Sequence, residues 1–188
     1  MAEKLAQRPS SLIKIVLFGP ESTGKTSLAQ MLATHYNTFW VEEYMREYLQ
    51  EKWDKEKKIC EPKDMIPIAE GQMKRENMLA EKANNLLISD TNLLELKVYS
   101  EAYYDGFCDA QLLKHALNNQ YDLYFLTYID VPWTPDDLRD KPEDRKGMFK
   151  RFEEELIKHQ KTYVVLKGDL IDRFNIAIEE IDELLKNK

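Results

Sequence analysis

Residues 19–26 read Gly-Pro-Glu-Ser-Thr-Gly-Lys-Thr, and the spacing Gly-x4-Gly-Lys-Thr suits one chemical task, the cradling of a phosphate chain. Gly19 and Gly24 let the backbone bend around an anion, so that the N–H groups of Glu21, Ser22, Thr23 and the helix start through Ser27 point inward. Lys25 then reaches the β and γ phosphates, and the Thr26 hydroxyl can ligate Mg²⁺. The pattern gains weight from its setting. An apolar β-branched run at 14–19 (KIVLFG) precedes it, and apolar residues at helical spacing, Leu28, Met31 and Leu32, follow it.

Other residues could complete a phosphoryl-transfer site. Asp90 closes an apolar run at 86–89 (LLIS), where a carboxylate can hold Mg²⁺ directly or through water; it could equally cap the next helix. Glu42 and Glu43 end a short run at 38–41 (TFWV), and strand ends in open α/β sheets border the ligand crevice. A carboxylate there could accept a substrate hydroxyl proton or anchor a ribose diol, or simply complement a helix dipole. Arg46 lies one turn beyond Glu42. The stretch 130–145 holds three prolines, Trp133, Arg139 and Arg145, consistent with a lid that delivers its arginines to the transferring phosphoryl group or with a solvated charged loop.

These residues need a scaffold, and the alternation of patterns supplies one. Five apolar strand-like runs, at 14–19, 38–41, 86–89, 123–129 and 163–166, alternate with helical segments near 24–36, 43–53, 64–83, 93–103, 110–119, 143–159 and a closing helix carrying Phe174, Ile178, Ile181 and Leu185. That order predicts an α/β fold of the P-loop NTPase type, a five-stranded mostly parallel sheet with helices on both faces. Residues 13–188 are expected to form a single domain behind a flexible tail at 1–12, since 188 residues are too few for two ordinary domains.

Composition excludes other roles. Acidic residues number 34 against 27 basic, a formal net charge of −7, so no general basic field exists for nucleic acid. Cys60 and Cys108 show neither metal-ligand nor disulfide spacing, and His35, His115 and His159 lack companion ligands. No apolar run suits a membrane span or signal peptide, which predicts a cytoplasmic protein. A guanine-selecting NKxD segment is also missing, which turns the reading from GTPases toward small kinases.

With these motifs in hand, the chain resembles the ribosylnicotinamide kinase domain of NadR-type regulators, grouped with small AAA-like ATPases. The carriers are GPESTGKT, the strand-end segment WVEEYMRE at 40–47, Asp90-Thr91, residues 133–139 with Arg145, and VVLKGD at 164–169 with Arg173 one turn later. The resemblance implies transfer of phosphate from ATP, with Mg²⁺, to the 5′-hydroxyl of nicotinamide riboside or a related nucleoside. It further implies that Glu43, Tyr44 and Arg46, together with Asp90, face the substrate, that Arg139 and Arg145 are lid arginines, and that Gly168 and Arg173 border the adenine. Homo-oligomers are compatible with it. The helix-turn-helix and nucleotidylyltransferase domains of the regulators have no counterpart here, and Asn92 and Asp137 stand where the family often has aspartate and glycine. The alternative is an ATP-binding switch acting on a protein partner such as a transporter.

Overall fold

Six consecutive buried residues, Ile13–Phe18, form strand β1, and a strand with no exposed face must be covered on both sides. The computed structural model, which describes residues 2–132 and 144–187, supplies that cover. Strands β2 (Phe39–Val41), β3 (Leu86–Asp90), β4 (Leu123–Thr127) and β5 (Tyr163–Leu166) join β1 in a sheet of order β2-β3-β1-β4-β5. Every neighbouring pair is parallel, as the alternating pattern predicts.

The two faces of the sheet follow the period of two along β1. Ile13, Ile15 and Leu17 point to one side and pack with Leu28 and Leu32 of α1 (Lys25–His35) and Ala177 and Ile181 of α7 (Leu170–Lys186). Val16 and Phe18 point to the other. There they meet α3 (Met65–Ala80), α4 (Leu93–Tyr103), α5 (Ala110–Asn118) and α6 (Arg145–Lys158). Phe18 sits at the centre of this second layer, edge-on to Tyr124 at 5.5 Å and to Phe152 at 5.0 Å between ring centroids. Helix α2 (Tyr44–Glu56) lies outside the sheet and packs Met45, Tyr48 and Leu49 against the same cluster.

Topology places the chemistry. From β1 the chain moves first to one side of the sheet, to β2 and β3, and then crosses to β4 and β5 on the other, so β1 is the switch point where open α/β sheets bind ligands. The register sets Leu17 beside Asp90, bringing the carboxyl end of β3 next to the loop that follows β1.

The expected flexible tail at 1–12 requires correction. Residues Ala2–Leu5 form a turn of 3-10 helix, and Leu5 is buried among the core residues of the α3 layer. Gln7 donates to Glu76 at 2.7 Å, and the Arg8 N–H donates to Asn77 at 2.8 Å. The attachment has a physical reason: Lys14, on the α3 side of β1, is buried and pairs with Glu76 at 3.0 Å, and Gln7 and Tyr121 complete the hydrogen bonding of that carboxylate. Leu5, set among small and polar residues, is too weak a sequence signal to reveal this docking.

Candidate active site

The loop at 19–26 adopts the conformation its glycines permit. Gly19 has φ +133°, and a β-carbon there would lie 2.9 Å from the Thr127 hydroxyl. Gly24 begins α1 in the left-handed region, with φ 83°, and no side chain caps the helix. The first-turn N–H groups are therefore free of side-chain caps, the arrangement that suits an anion. Thr23 is buried and locks the loop from within, its hydroxyl bonding the Pro20 carbonyl at 2.8 Å and Thr127 at 2.6 Å.

Thr26 and Asp90 meet as the sequence suggests, the hydroxyl donating to Asp90 Oδ2 at 2.5 Å. Asp90 is 1% exposed, and its other oxygen, Oδ1, is buried without a hydrogen-bond partner among the described residues. Burial, with the Glu43 charge next, pushes its carboxyl up to about 6, against the pull of Lys25 and Thr26. A buried carboxylate oxygen without a donor beside a threonine hydroxyl fits a hard divalent cation, whose remaining ligands would be water and phosphate. Among the described residues no group of three or more His, Cys, Asp and Glu side chains forms a ready metal cage.

A cavity of about 540 Å³ is lined by residues 21–27 of the loop, by Glu43 and Arg46, and by the aromatic side chains of Trp53, Tyr99, Tyr103 and Tyr104. Glu43 holds the first position before α2, with ψ of 113°, and lines this cavity. The aromatic wall was not anticipated from the sequence. Tyr99 and Tyr103 are spaced four apart on α4 and so share a face, a signal that could have been read.

Two expected contacts turn out differently. Tyr44 does not line the cavity: its N–H donates to Gln72 at 2.8 Å, and its ring packs under Arg75 at 4.8 Å and over Gly71, which lacks the side chain that would displace it. Arg173 is 2% exposed and does not border an open adenine site. Its guanidinium donates to the carbonyls of Gly168 at 3.0 Å, Tyr128 at 2.9 Å and Thr23 at 2.5 Å, and it pairs with Asp130. Gly168 is held by Asp130 in turn, its N–H donating at 2.7 Å.

Arg173 thus ties α7 and the end of β4 to the phosphate loop. Replacement of Arg173 by methionine would strand three carbonyls and one carboxylate, for a cost of about 3 kcal/mol. The melting temperature is expected to fall by about 6–12 °C. Thermal denaturation followed by circular dichroism checks this.

Arg145 bridges the same region from α6, donating to the carbonyl of Val131 at 2.9 Å and of Ser22 at 3.3 Å. It reaches the loop, as a lid arginine should, though in this arrangement it contacts the backbone. Arg139 lies outside the described residues, as do Trp133 and the other residues of 133–143.

Comparison with known proteins places this geometry in a family, since a model described as an AAA domain matches residues 14–173. The chain belongs to that family. The AAA-domain chain is 25% identical over 185 residues to the trifunctional NAD biosynthesis/regulator protein NadR of Salmonella typhimurium, covering 95% of this chain and 44% of that one. The NadR of Escherichia coli is similar to the same extent. The chain therefore spans less than half the length of these curated relatives. Among solved structures, NadR in complex with NR superimposes with a TM-score of 0.77 at 22% identity, over 92% of this chain and 51% of that chain. Deoxyadenosine kinase from M. mycoides superimposes at 0.70 with 16% identity, over 91% and 100%. The fold is that of P-loop nucleoside and nucleotide kinases, and the NadR resemblance drawn from the motifs is borne out. No described helix is long and apolar enough to cross a membrane.

Proposed function

We propose that the chain is an ATP-dependent small-molecule kinase that phosphorylates the 5′-hydroxyl of nicotinamide riboside or a related nucleoside. The observation that carries the reading is a single cavity whose lining combines the phosphate loop, Glu43 and four aromatic side chains. A ring-bearing acceptor stacked among Trp53, Tyr99, Tyr103 and Tyr104 would direct its hydroxyl toward Glu43 and the phosphates. The relatives support the choice of acceptor class: one NadR structure holds NR, another holds NAD and AMP-PNP, and the fold is shared with deoxyadenosine kinase.

In this reading the loop binds the triphosphate of ATP, and Lys25 offsets the charge that develops as the γ-phosphoryl group leaves. Thr26 and Asp90 would hold Mg²⁺, which when bound neutralises the β and γ oxygens. Glu43 orients the acceptor hydroxyl and accepts its proton, with Arg46 beside it as a substrate contact. Arg145 and Arg139 would close from the lid side. ATP and nucleosides are the partners, and a cytoplasmic location accords with them.

Glu43→Gln separates acceptor chemistry from nucleotide binding. The variant is expected to bind MgATP within about twofold of wild type and to lose acceptor-dependent ADP release by roughly 10²–10⁴. Calorimetric ATP titration beside a coupled ADP assay measures both. Equal loss of ATP binding and turnover would contradict this assignment of Glu43.

A further inference from the structure

Glu95 has no part in the roles described so far. It occupies the third position of α4, where Asn92 caps the helix and accepts the Glu95 N–H at 3.1 Å. In an Asn-x-x-Glu helix start the glutamate ordinarily folds back onto the N–H of the capping residue. Here its side chain turns to the phosphate loop instead. Oε2 accepts the Gly19 N–H at 3.2 Å, and Oε1 lies 3.1 Å from Lys25 Nζ. Both residues are buried, Glu95 at 2% exposure and Lys25 at 8%.

A lysine ammonium has three N–H donors. Three oxygens surround that of Lys25: the Gly19 carbonyl at 2.7 Å, the Pro20 carbonyl at 3.0 Å and Glu95 Oε1. Two donors bond the carbonyls and the ion pair with Glu95 completes the ring of oxygens, so Lys25 cannot turn to a phosphate until a partner is released. Glu95 is the side-chain partner, the one whose place a phosphate oxygen can take.

We propose that Glu95 is a positioning residue, the resident carboxyl partner of Lys25, which holds the ammonium and the Gly19 end of the loop until the triphosphate of an incoming nucleotide takes its place. The inference rests on the nucleotide-binding part of the proposed function and is independent of which acceptor is used.

The groups facing Glu95 are Lys25 from α1, Glu43 before α2, Asp90 at the end of β3 and Tyr99 one turn along α4. Burial pushes the Glu95 carboxyl up to about 8; Lys25 pulls it back only in part, and Glu43 and Asp90 push it the same way as burial. Burial would lower Lys25, but the three carboxylates outweigh it and keep the ammonium charged beyond its ordinary range. Burial also holds Tyr99 well above its usual value, so neither group changes charge between pH 7.5 and 9. The sign follows. Above about pH 8 Glu95 is ionised in the free protein, competes with the triphosphate for Lys25 and repels it, so nucleotide affinity falls as pH rises.

MgATP affinity of the full chain, measured by calorimetry at pH 7.5 and 9.0 for wild type and Glu95→Gln, tests this. Wild type is expected to bind on the order of tenfold more weakly at the higher pH. The glutamine variant, which can still accept the Gly19 N–H, should bind equally at both and on the order of tenfold tighter than wild type at pH 9.0. A pH-independent wild type, or a folded glutamine variant that binds no tighter, would overturn the inference, since a purely structural Glu95 predicts weaker binding on substitution. Should the variant fail to fold, the wild-type pH series decides alone. Failure of wild type to bind ATP at either pH would remove the nucleotide reading itself, and the inference with it.

Discussion

Lys25→Met is expected to reduce phosphoryl transfer by on the order of 10³ or more, the cost of deleting a fixed cation aimed at developing charge. The fold should survive the change. Removing one partner of a buried ion pair typically costs about 3–5 kcal/mol because the other charge is left stranded. Here the stranded group is Glu95, whose carboxyl burial already pushes up to about 8, and without Lys25 it rises further and stays neutral. Melting temperatures at pH 7 and 9 check this, the loss being small at the first and larger at the second, alongside a coupled ADP assay. A variant that lost its fold at pH 7 would show that Lys25 holds the loop together as well as serving the phosphates.

Asp90→Asn separates stability from function in the opposite direction. Among the described residues only Thr26 bonds the Asp90 carboxylate, and its free oxygen is buried. Its ionised form is therefore costly in the metal-free protein, which is why its carboxyl lies near 6, above the ordinary aspartate range. The sign runs against the usual acidic case. A carboxyl raised on folding contributes stability at pH below its unfolded value, and that contribution is lost as pH rises through about 6. The amide of the Asp90→Asn variant stays neutral, so the substitution is expected to stabilise the metal-free protein at pH 7 by on the order of 1–3 kcal/mol. The same change removes a ligand for Mg²⁺, so turnover should fall by roughly 10²–10³ and respond weakly to added Mg²⁺. In wild type, kcat/KM should decline as pH drops through about 6, where Asp90 takes up its proton. A destabilised Asp90→Asn variant with normal turnover would contradict the whole assignment of this carboxylate.

The parts of this site that were legible in the sequence are those where one residue type at one spacing answers one local demand. Gly19, Gly24, Lys25 and Thr26 sit in a loop whose shape is set by its own glycines, and Asp90 ends an apolar strand whose neighbours could be inferred. The β1, β3 and β4 runs were readable for the same reason, being buried on both faces. Side-chain direction beyond a strand end was not readable. Glu43 and Tyr44 are adjacent, yet one faces the cavity and the other packs on Gly71, a distinction set by the distant helix α3. Arg173 illustrates the same limit, since an arginine one turn into a helix looks solvent-facing until β4 and the loop carbonyls converge on it. Glu95 reads locally as a helix-capping glutamate, and only the packing of α4 beneath the loop directs it to Lys25.

The central claim is that phosphate passes from ATP to a small acceptor held against the aromatic side chains of the cavity. Its most direct test is ADP formation by the purified chain with Mg²⁺ and ATP, measured alone and with a panel of nucleosides and vitamins led by nicotinamide riboside, with the products identified by mass. The account predicts a low rate with ATP alone and a strongly stimulated rate with at least one nucleoside, each ADP matched by one phosphorylated acceptor. ADP formation unchanged by every member of the panel, in a protein that still binds ATP, would contradict it and point to an ATP-binding switch that acts on a protein partner.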